Sequence, residues 1–287
     1  MKFLFFSIVF VLGSFISIGQ RSTDIFVNEP NTETTRHSDD EKVIYDAHWA
    51  GFDIGFNTMM SAPFKRDFDS NPYWENNIAN SIQFNMGLWE YKIPIVRQYL
   101  GITTGLGFSI SCYSFKNDAK NYTLQYNSDT TYAQVFSPGI LYNDTIDGKL
   151  RNNYLTLGYF TVPLLIEFAT KEREKKSFYA AAGVVAGIRF TSSYLQSGRY
   201  ESGDRFYNTI RAKYNTNLLS IEATARFGYD WGGFFASYNL NTLFKEGKTV
   251  NVYPFRAGIT FNVDYNEISE EEFDFDFENP VNDRYSK

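Results

Sequence analysis

The stretch that decides the fold class is Leu-Ser-Ile-Glu-Ala-Thr-Ala-Arg-Phe-Gly at residues 219–228. Its odd-numbered positions are apolar or alanine, whereas its even-numbered positions are polar, charged or glycine. Successive side chains of a β-strand point to opposite faces of the sheet. A period of two therefore predicts that these residues form a strand with one apolar face and one polar face.

The same alternation recurs along most of the chain. Phe52, Ile54 and Phe56 alternate with polar or small residues, as do the apolar residues of 82–88 and 255–261. Aromatic residues make up 18% of the chain, and this abundance of Phe and Tyr favours strands. Eight strands are predicted, at residues 47–60, 78–91, 99–115, 151–168, 177–192, 215–230, 233–244 and 252–264.

The placement of lysine indicates which face of the strands points outward. A soluble barrel scatters Lys and Glu along its water-facing strand positions. No lysine lies within the eight predicted strands, and the polar face consists mostly of Gly, Ser, Thr, Asn and Gln. The lysines that fall between the predicted strands are Lys65, Lys92, Lys116, Lys120, Lys149, Lys171, Lys175, Lys176, Lys213, Lys245 and Lys248. We therefore expect an all-β fold, an eight-stranded antiparallel up-and-down transmembrane β-barrel with a lipid-facing apolar belt and a polar lumen.

The remaining segments complete the predicted domain organisation. Lys2, a short apolar run and small residues at 17–19 have the layout of a secretory signal peptide over residues 1–19. The polar residues 20–46 are expected to form a flexible periplasmic leader. The barrel is predicted over residues 47–264, and an acidic tail follows at 265–287.

The lengths of the predicted connections indicate how the barrel is oriented. Long and short connections alternate along the chain, as they do in outer-membrane barrels with long extracellular loops and short periplasmic turns. An even number of strands brings both ends of the chain to the same side. We therefore expect a protein of the bacterial outer membrane whose N- and C-termini are periplasmic.

Composition argues against several function classes. The formal net charge of −6 disfavours nucleic-acid binding, which requires a basic surface. A single Cys and two His residues leave little material for a metal centre or a His-dependent catalytic site. We therefore expect no catalytic residues, no metal and no cofactor. A small passive outer-membrane channel and a surface lipid-modifying enzyme remain as alternatives to a non-enzymatic barrel.

Three segments carry a family resemblance. Val-Pro-Leu-Leu-Ile-Glu-Phe at 162–168, the Gly-rich strand at 180–187 and Gly-Ile-Thr-Phe at 258–261 resemble the PorT-like outer-membrane barrels of the Bacteroidota. The resemblance covers about residues 47–264. It implies an accessory role in type IX protein secretion or gliding machinery, although the chain departs from the family by extending well past its last strand.

The charged residues of the polar strand faces are the first candidate site. An eight-stranded barrel encloses a lumen just wide enough for side chains to fill. Buried charges in so narrow a space need partners of opposite sign. A lumen charge network is therefore predicted, and it consists of Asp53, Glu167, Arg189, Glu222, Arg226 and Arg256.

The acidic tail is the second candidate site. It contains far more acidic than basic residues, and three Phe residues alternate with acids in it. This pattern is consistent either with a solvated end or with a segment that docks onto a periplasmic or envelope protein partner. The candidate docking residues are Phe273, Phe275, Phe277, Glu271, Asp274 and Asp276. The other expected partner is outer-membrane lipid, and the expected function is that of a structural or interaction component.

Overall fold

The computed structural model describes residues 47–63, 65–68, 74–97, 99–115, 122–126, 129–135, 148–170, 177–200 and 202–263. It contains eleven strands and one short 3-10 turn in these residues. The strands are β1 (Gly51–Met60), β2 (Ile82–Val96), β3 (Leu100–Ser114), β4 (Tyr122–Tyr126), β5 (Thr131–Val135), β6 (Gly148–Ala169), β7 (Phe178–Tyr200), β8 (Arg205–Arg211), β9 (Leu219–Tyr229), β10 (Gly232–Asn239) and β11 (Tyr253–Asn262).

Eight of these strands form a closed antiparallel ring. The hydrogen-bonded order is β1-β2-β3-β6-β7-β9-β10-β11, and β11 pairs back to β1 from Gly51↔Asn262 to Met60↔Tyr253. Closure gives the backbone groups of each ring strand partners on both sides, which a strand in hydrocarbon requires. The predicted eight-stranded antiparallel barrel is confirmed. The described residues contain no helix long and apolar enough to cross a membrane.

The two ends of the barrel differ in their connections. At the end that we call the turn end, β2 joins β3 through residues 97–99 and β9 joins β10 through Asp230 and Trp231. At the opposite end, the loop end, longer segments join β1 to β2, β3 to β6, β7 to β9 and β10 to β11. The structure therefore reproduces the predicted alternation of short turns and long loops.

The outer surface of the ring is apolar, as the alternation predicted. Large hydrophobic side chains on it are 39% to 64% exposed in β1, β6, β7 and β9. Near the turn end, aromatic side chains contact one another, with ring centroids 4.7 Å apart for Phe178 and Tyr229 and 5.8 Å apart for Trp231 and Phe261. An apolar band bordered by aromatic residues is typical of membrane barrels.

The prediction that lysine is absent from the strands was wrong at two positions. β2 continues to Val96 and β6 begins at Gly148, so Lys92 and Lys149 both lie within strands. Lys92 is only 4% exposed, and it points into the lumen. Burial is tolerated there because an opposite charge is within contact distance, as described below.

The loop end carries structure that the alternation pattern did not predict. β6 and β7 extend beyond the ring and pair as far as Gly148↔Tyr200, and β8 adds a third strand to them. We call β8 and the extensions of β6 and β7 the projecting sheet. A hairpin of β4 and β5 lies in the connection that was predicted as a loop.

An apolar cluster, the loop-end core, lies inside the same end of the barrel. Its rings contact one another, with centroids of Trp74 and Phe244 5.1 Å apart. The hairpin is fixed to this region because Leu124 N donates to Tyr194 OH at 3.0 Å. The loop-end core consists of Met59, Phe68, Trp74, Tyr113, Phe115, Leu124, Leu155, Leu157, Tyr159, Tyr194, Tyr214, Leu243, Phe244 and Val252. Its members come from several ring strands and from loops, so together they cover the mouth of the lumen.

Candidate functional site in the barrel lumen

Three groups of charged side chains follow one another along the lumen. The group nearest the loop end is centred on Arg256, whose Nη1 is 2.8 Å from Glu222 Oε2. The same guanidinium donates to Asn239 Oδ1 at 2.6 Å and to Tyr113 OH at 3.4 Å. Ser220 Oγ donates to the other oxygen of Glu222 at 3.2 Å. This ion pair is enclosed by protein groups, since Arg256 is 1% and Glu222 8% exposed.

The middle group is the ion pair of Asp53 and Arg226. Arg226 Nη2 contacts Asp53 Oδ1 and also donates to Thr260 Oγ1 at 3.0 Å. The second carboxylate oxygen accepts from Asn85 Nδ2 at 3.0 Å. The guanidinium carbon of Arg226 lies 4.9 Å from the ring centroid of Trp49, which is a cation–π arrangement. Both charges are buried.

The group at the turn end is built around Glu167. Lys92 Nζ lies 2.9 Å from Glu167 Oε1, and Thr103 Oγ1 donates to Oε2 at 2.8 Å. His48 Nδ1 lies 2.9 Å from Oε1, and the His48 backbone N donates to Oε2 at 3.2 Å. The His48 ring stacks on Tyr179 with centroids 4.0 Å apart. Glu167 is fully buried.

Residues 48–50, which precede β1, form a short strap across this end of the lumen. Glu90 Oε2 accepts from the backbone N of Trp49 at 2.7 Å and of Ala50 at 2.6 Å. The strap is therefore held by two carboxylates, Glu90 and Glu167. Trp49 is buried beside Leu165, in a small apolar cluster. The strap thus covers the lumen at the turn end, and the loop-end core covers it at the loop end.

Between these covers, the described residues enclose one small cavity. The cavity beside Asp53 and Arg226 has a volume of about 20 Å³, which is room for about one water molecule. Further polar contacts fill the wall, since Gln83 Nε2 donates to Ser109 Oγ at 2.8 Å and Ser111 Oγ donates to Gln83 Oε1 at 2.5 Å. The arrangement is that of a packed polar interior.

The structure brings five of the six predicted lumen charges into ion pairs. Arg189 is placed differently: it is half-buried near the loop end, and its Nη1 donates to the backbone O of Lys213 at 3.2 Å and of Thr216 at 2.8 Å. Among the described residues it has no carboxylate partner. Carbonyl oxygens replace a carboxylate here because the side chain lies where the 213–216 turn closes over it.

The alternation pattern missed Lys92, Glu90 and His48. A register shift in the pairing of β2 with β3, between Gly87 and Trp89, marks a β-bulge. A bulge inserts one residue and so reverses the faces of all later positions in the strand. Glu90 and Lys92 therefore point inward, while Tyr91 and Ile93 are exposed on the outer surface.

The other site predictions receive no structural test. The candidate docking residues of the tail, from Glu271 to Phe277, lie outside the described residues. Within the described part of the chain, no group of three or more His, Cys, Asp and Glu residues is arranged to hold a metal ion. Cys112 is a free thiol on the outer face, with Sγ 3.5 Å from Thr156 Oγ1.

Comparison with known proteins gives one match. The family model described as outer membrane protein beta-barrel domain matches residues 47–219, which is more than half of the chain. No curated protein and no solved structure matches the chain.

Proposed function

The chain belongs to the outer membrane protein beta-barrel domain family, and we propose that it is a non-enzymatic interaction component of the outer membrane. The observation that carries the proposal is that the charged side chains of the lumen are paired with one another. Its charges are neutralised inside the protein, by Glu222 with Arg256, Asp53 with Arg226, and Glu167 with Lys92. A conducting pore needs a water-filled path, and a selective one generally has a ring of charges of one sign.

The projecting sheet and the hairpin supply the surface for interactions. β8, the extensions of β6 and β7, and the β4–β5 hairpin are more elaborate than a barrel needs for closure. We propose that the loop end is extracellular and that both termini are periplasmic, after cleavage of a signal peptide at residues 1–19. The long connections at the loop end support this orientation.

The resemblance to PorT-like barrels of the Bacteroidota directs the choice of pathway. We propose that the chain serves type IX protein secretion or gliding as an accessory, and that the acidic tail docks onto an envelope protein in the periplasm. Phe residues alternating with acids at 273–277 suit a strand that adds to a sheet or lies on a basic surface.

Planar-bilayer recording tests the proposal against the passive channel. The refolded barrel should insert without producing discrete conductance steps. As a positive comparison, removal of strap contacts by combining Glu90→Gln with Trp49→Ala should raise the leak if the strap is one of the seals. Steady conductance of the unmodified barrel would refute the proposal in favour of the channel.

Two further measurements test orientation and partner. In intact cells, an epitope inserted beside Asp129, at the hairpin tip, should be labelled by antibody, whereas one placed after Lys287 should require permeabilisation. A tagged pull-down should recover a partner that is lost when Phe273, Phe275 and Phe277 are replaced with Ser. Capture that survives this change would leave the tail without a docking role.

A further inference from the structure

The projecting sheet carries basic residues on its outer face, directly above the apolar belt. The outer-face positions of β8 are Arg205, Tyr207, Thr209 and Arg211, because they pair with outward positions of β7. All four are exposed, and Tyr207 is 72% exposed. No acidic residue occupies this face of β8.

Arg211 lies just beyond the end of the apolar belt, and Lys213 follows it two residues later. The belt on β7 ends at Phe190, whose ring lies 4.6 Å from that of Phe160. Arg211 pairs with Ser193, three positions further along β7. With about 3.3 Å per residue and a strand tilt of about 40°, this places Arg211 about 8 Å above the belt. The headgroup region begins at the hydrocarbon boundary and is about 5–8 Å thick.

The backbone around Lys213 is fixed. Its carbonyl oxygen accepts from Arg189 Nη1 at 3.2 Å and from Thr216 N at 2.9 Å. The chain then descends to Leu218, which is 54% exposed and begins the belt on this side. Arg211 and Lys213 are both exposed, and neither has an ion-pair partner within the described residues. Two unpaired cations therefore lie between an apolar surface below and a polar sheet above.

From this placement we propose that Arg211 and Lys213 bind a phosphate group of a phosphorylated glycolipid in the leaflet at the loop end. The acyl chains of the lipid would lie against Phe190 and Leu218, and its headgroup phosphate would meet the two cations. Contact with both an apolar belt and a cationic pair distinguishes this ligand from free phosphate. The inference rests on the proposed orientation, in which the loop end faces the glycolipid-containing leaflet.

Two other cations of the projecting sheet, Arg199 and Arg205, provide a matched control. These residues pair with each other across β7 and β8 on the same outer face. They lie nine positions beyond Phe190, which corresponds to about 23 Å above the belt. A lipid without core sugars should not reach them.

The test is native mass spectrometry of the refolded full barrel in detergent with diphosphoryl lipid A. Arg211→Gln combined with Lys213→Gln should weaken lipid retention about tenfold, because two cations near an anionic surface are lost. Arg199→Gln combined with Arg205→Gln should change retention less than about twofold, since rim charges beyond a Debye length of about 8 Å contribute little. Dephosphorylated lipid A should bind the unmodified barrel weakly, about as weakly as diphosphoryl lipid A binds the variant with Arg211→Gln and Lys213→Gln. Added inorganic phosphate should not displace diphosphoryl lipid A from the unmodified barrel.

The inference would be overturned if both double variants retained the lipid equally or lost it equally. It would also be overturned if dephosphorylated lipid A bound strongly, or if free phosphate displaced the lipid. Heat-dependent gel migration shows that each variant is folded, and Arg211→Gln alone gives an intermediate loss if the double variant does not fold. The outcome is separable from that of the proposed function. If the barrel conducts, the proposed function is refuted, but lipid retention can still be measured. If the barrel does not conduct and the two double variants retain lipid A equally, only the glycolipid site is refuted.

Discussion

Replacing Arg256 with Met should destabilise the barrel strongly. The side chain is 1% exposed and donates to Glu222, Asn239 and Tyr113. Without it, the buried carboxylate of Glu222 loses its counterion. Breaking a buried ion pair by removing one partner costs about 3–5 kcal/mol, so we expect the free energy of unfolding to fall by about that amount.

The double variant separates the stranded charge from the lost packing. Glu222→Gln added to Arg256→Met removes the uncompensated charge and leaves a neutral group that Ser220 can still contact. We expect it to recover about 2 kcal/mol or more of the loss, because much of the single-variant cost is the unpaired charge. Arg205→Met is the matched surface control and should change stability by less than about 0.5 kcal/mol.

The measurement is urea unfolding of the barrel in lipid vesicles, followed by tryptophan fluorescence, with heat-dependent gel migration as the check on folding. A loss below about 1 kcal/mol for Arg256→Met would mean that Glu222 is hydrated, since exposed ion pairs contribute only about that much. A double variant no more stable than the single one would lead to the same conclusion. Either result would refute the account of a sealed, internally neutralised lumen.

Two other substitutions test the outer face and the strap in the same unfolding assay. Ile221→Arg places a charge at a lipid-facing site that is 44% exposed, and it should lower the free energy of unfolding by about 2–4 kcal/mol. Thr224→Ser, on the lumen side, should lower it only slightly. Equal losses in the two variants would contradict the face assignment. Gly105→Ala should be destabilising, because the new Cβ would overlap the backbone O of Trp89 and lie 2.8 Å from Cδ1 of Trp49, so that both β2 and the strap would have to shift. Gly232→Ala meets no atom within 4 Å and should be close to neutral, and similar losses at both glycines would contradict the close packing around Gly105.

Local alternation was sufficient to predict the ring. In residues 219–228 every second side chain belongs to the same face, and the structure places Ile221 and Phe227 outside and Glu222 and Arg226 inside. The sequence carries this information because a strand assigns each residue to a face by position alone. An apolar belt and a polar lumen then require closure, so strand number and class followed from counting segments.

The composition of the lumen network depended on features with no local signature. The bulge between Gly87 and Trp89 reversed the faces of the rest of β2, which brought Lys92 to Glu167 across 75 positions of sequence. Nothing in the spacing near Lys92 indicates that reversal. His48 falls in the predicted first strand, where its parity assigned it to the apolar face. β1 begins only at Gly51, and the folded ring brings His48 to the same carboxylate.

The sequence alone thus determined the period of each strand, the inverted polarity of the barrel and most of its inward charges, because these are properties of neighbouring residues. Tertiary structure decided the partner of each charge, the loop-end core and the projecting sheet. Arg189 illustrates the division: its parity placed it inward, but the turn at 213–216 supplied carbonyl oxygens as its partners. Face follows from backbone geometry within one strand, whereas pairing depends on register and on which distant segments the closed ring brings within hydrogen-bonding distance.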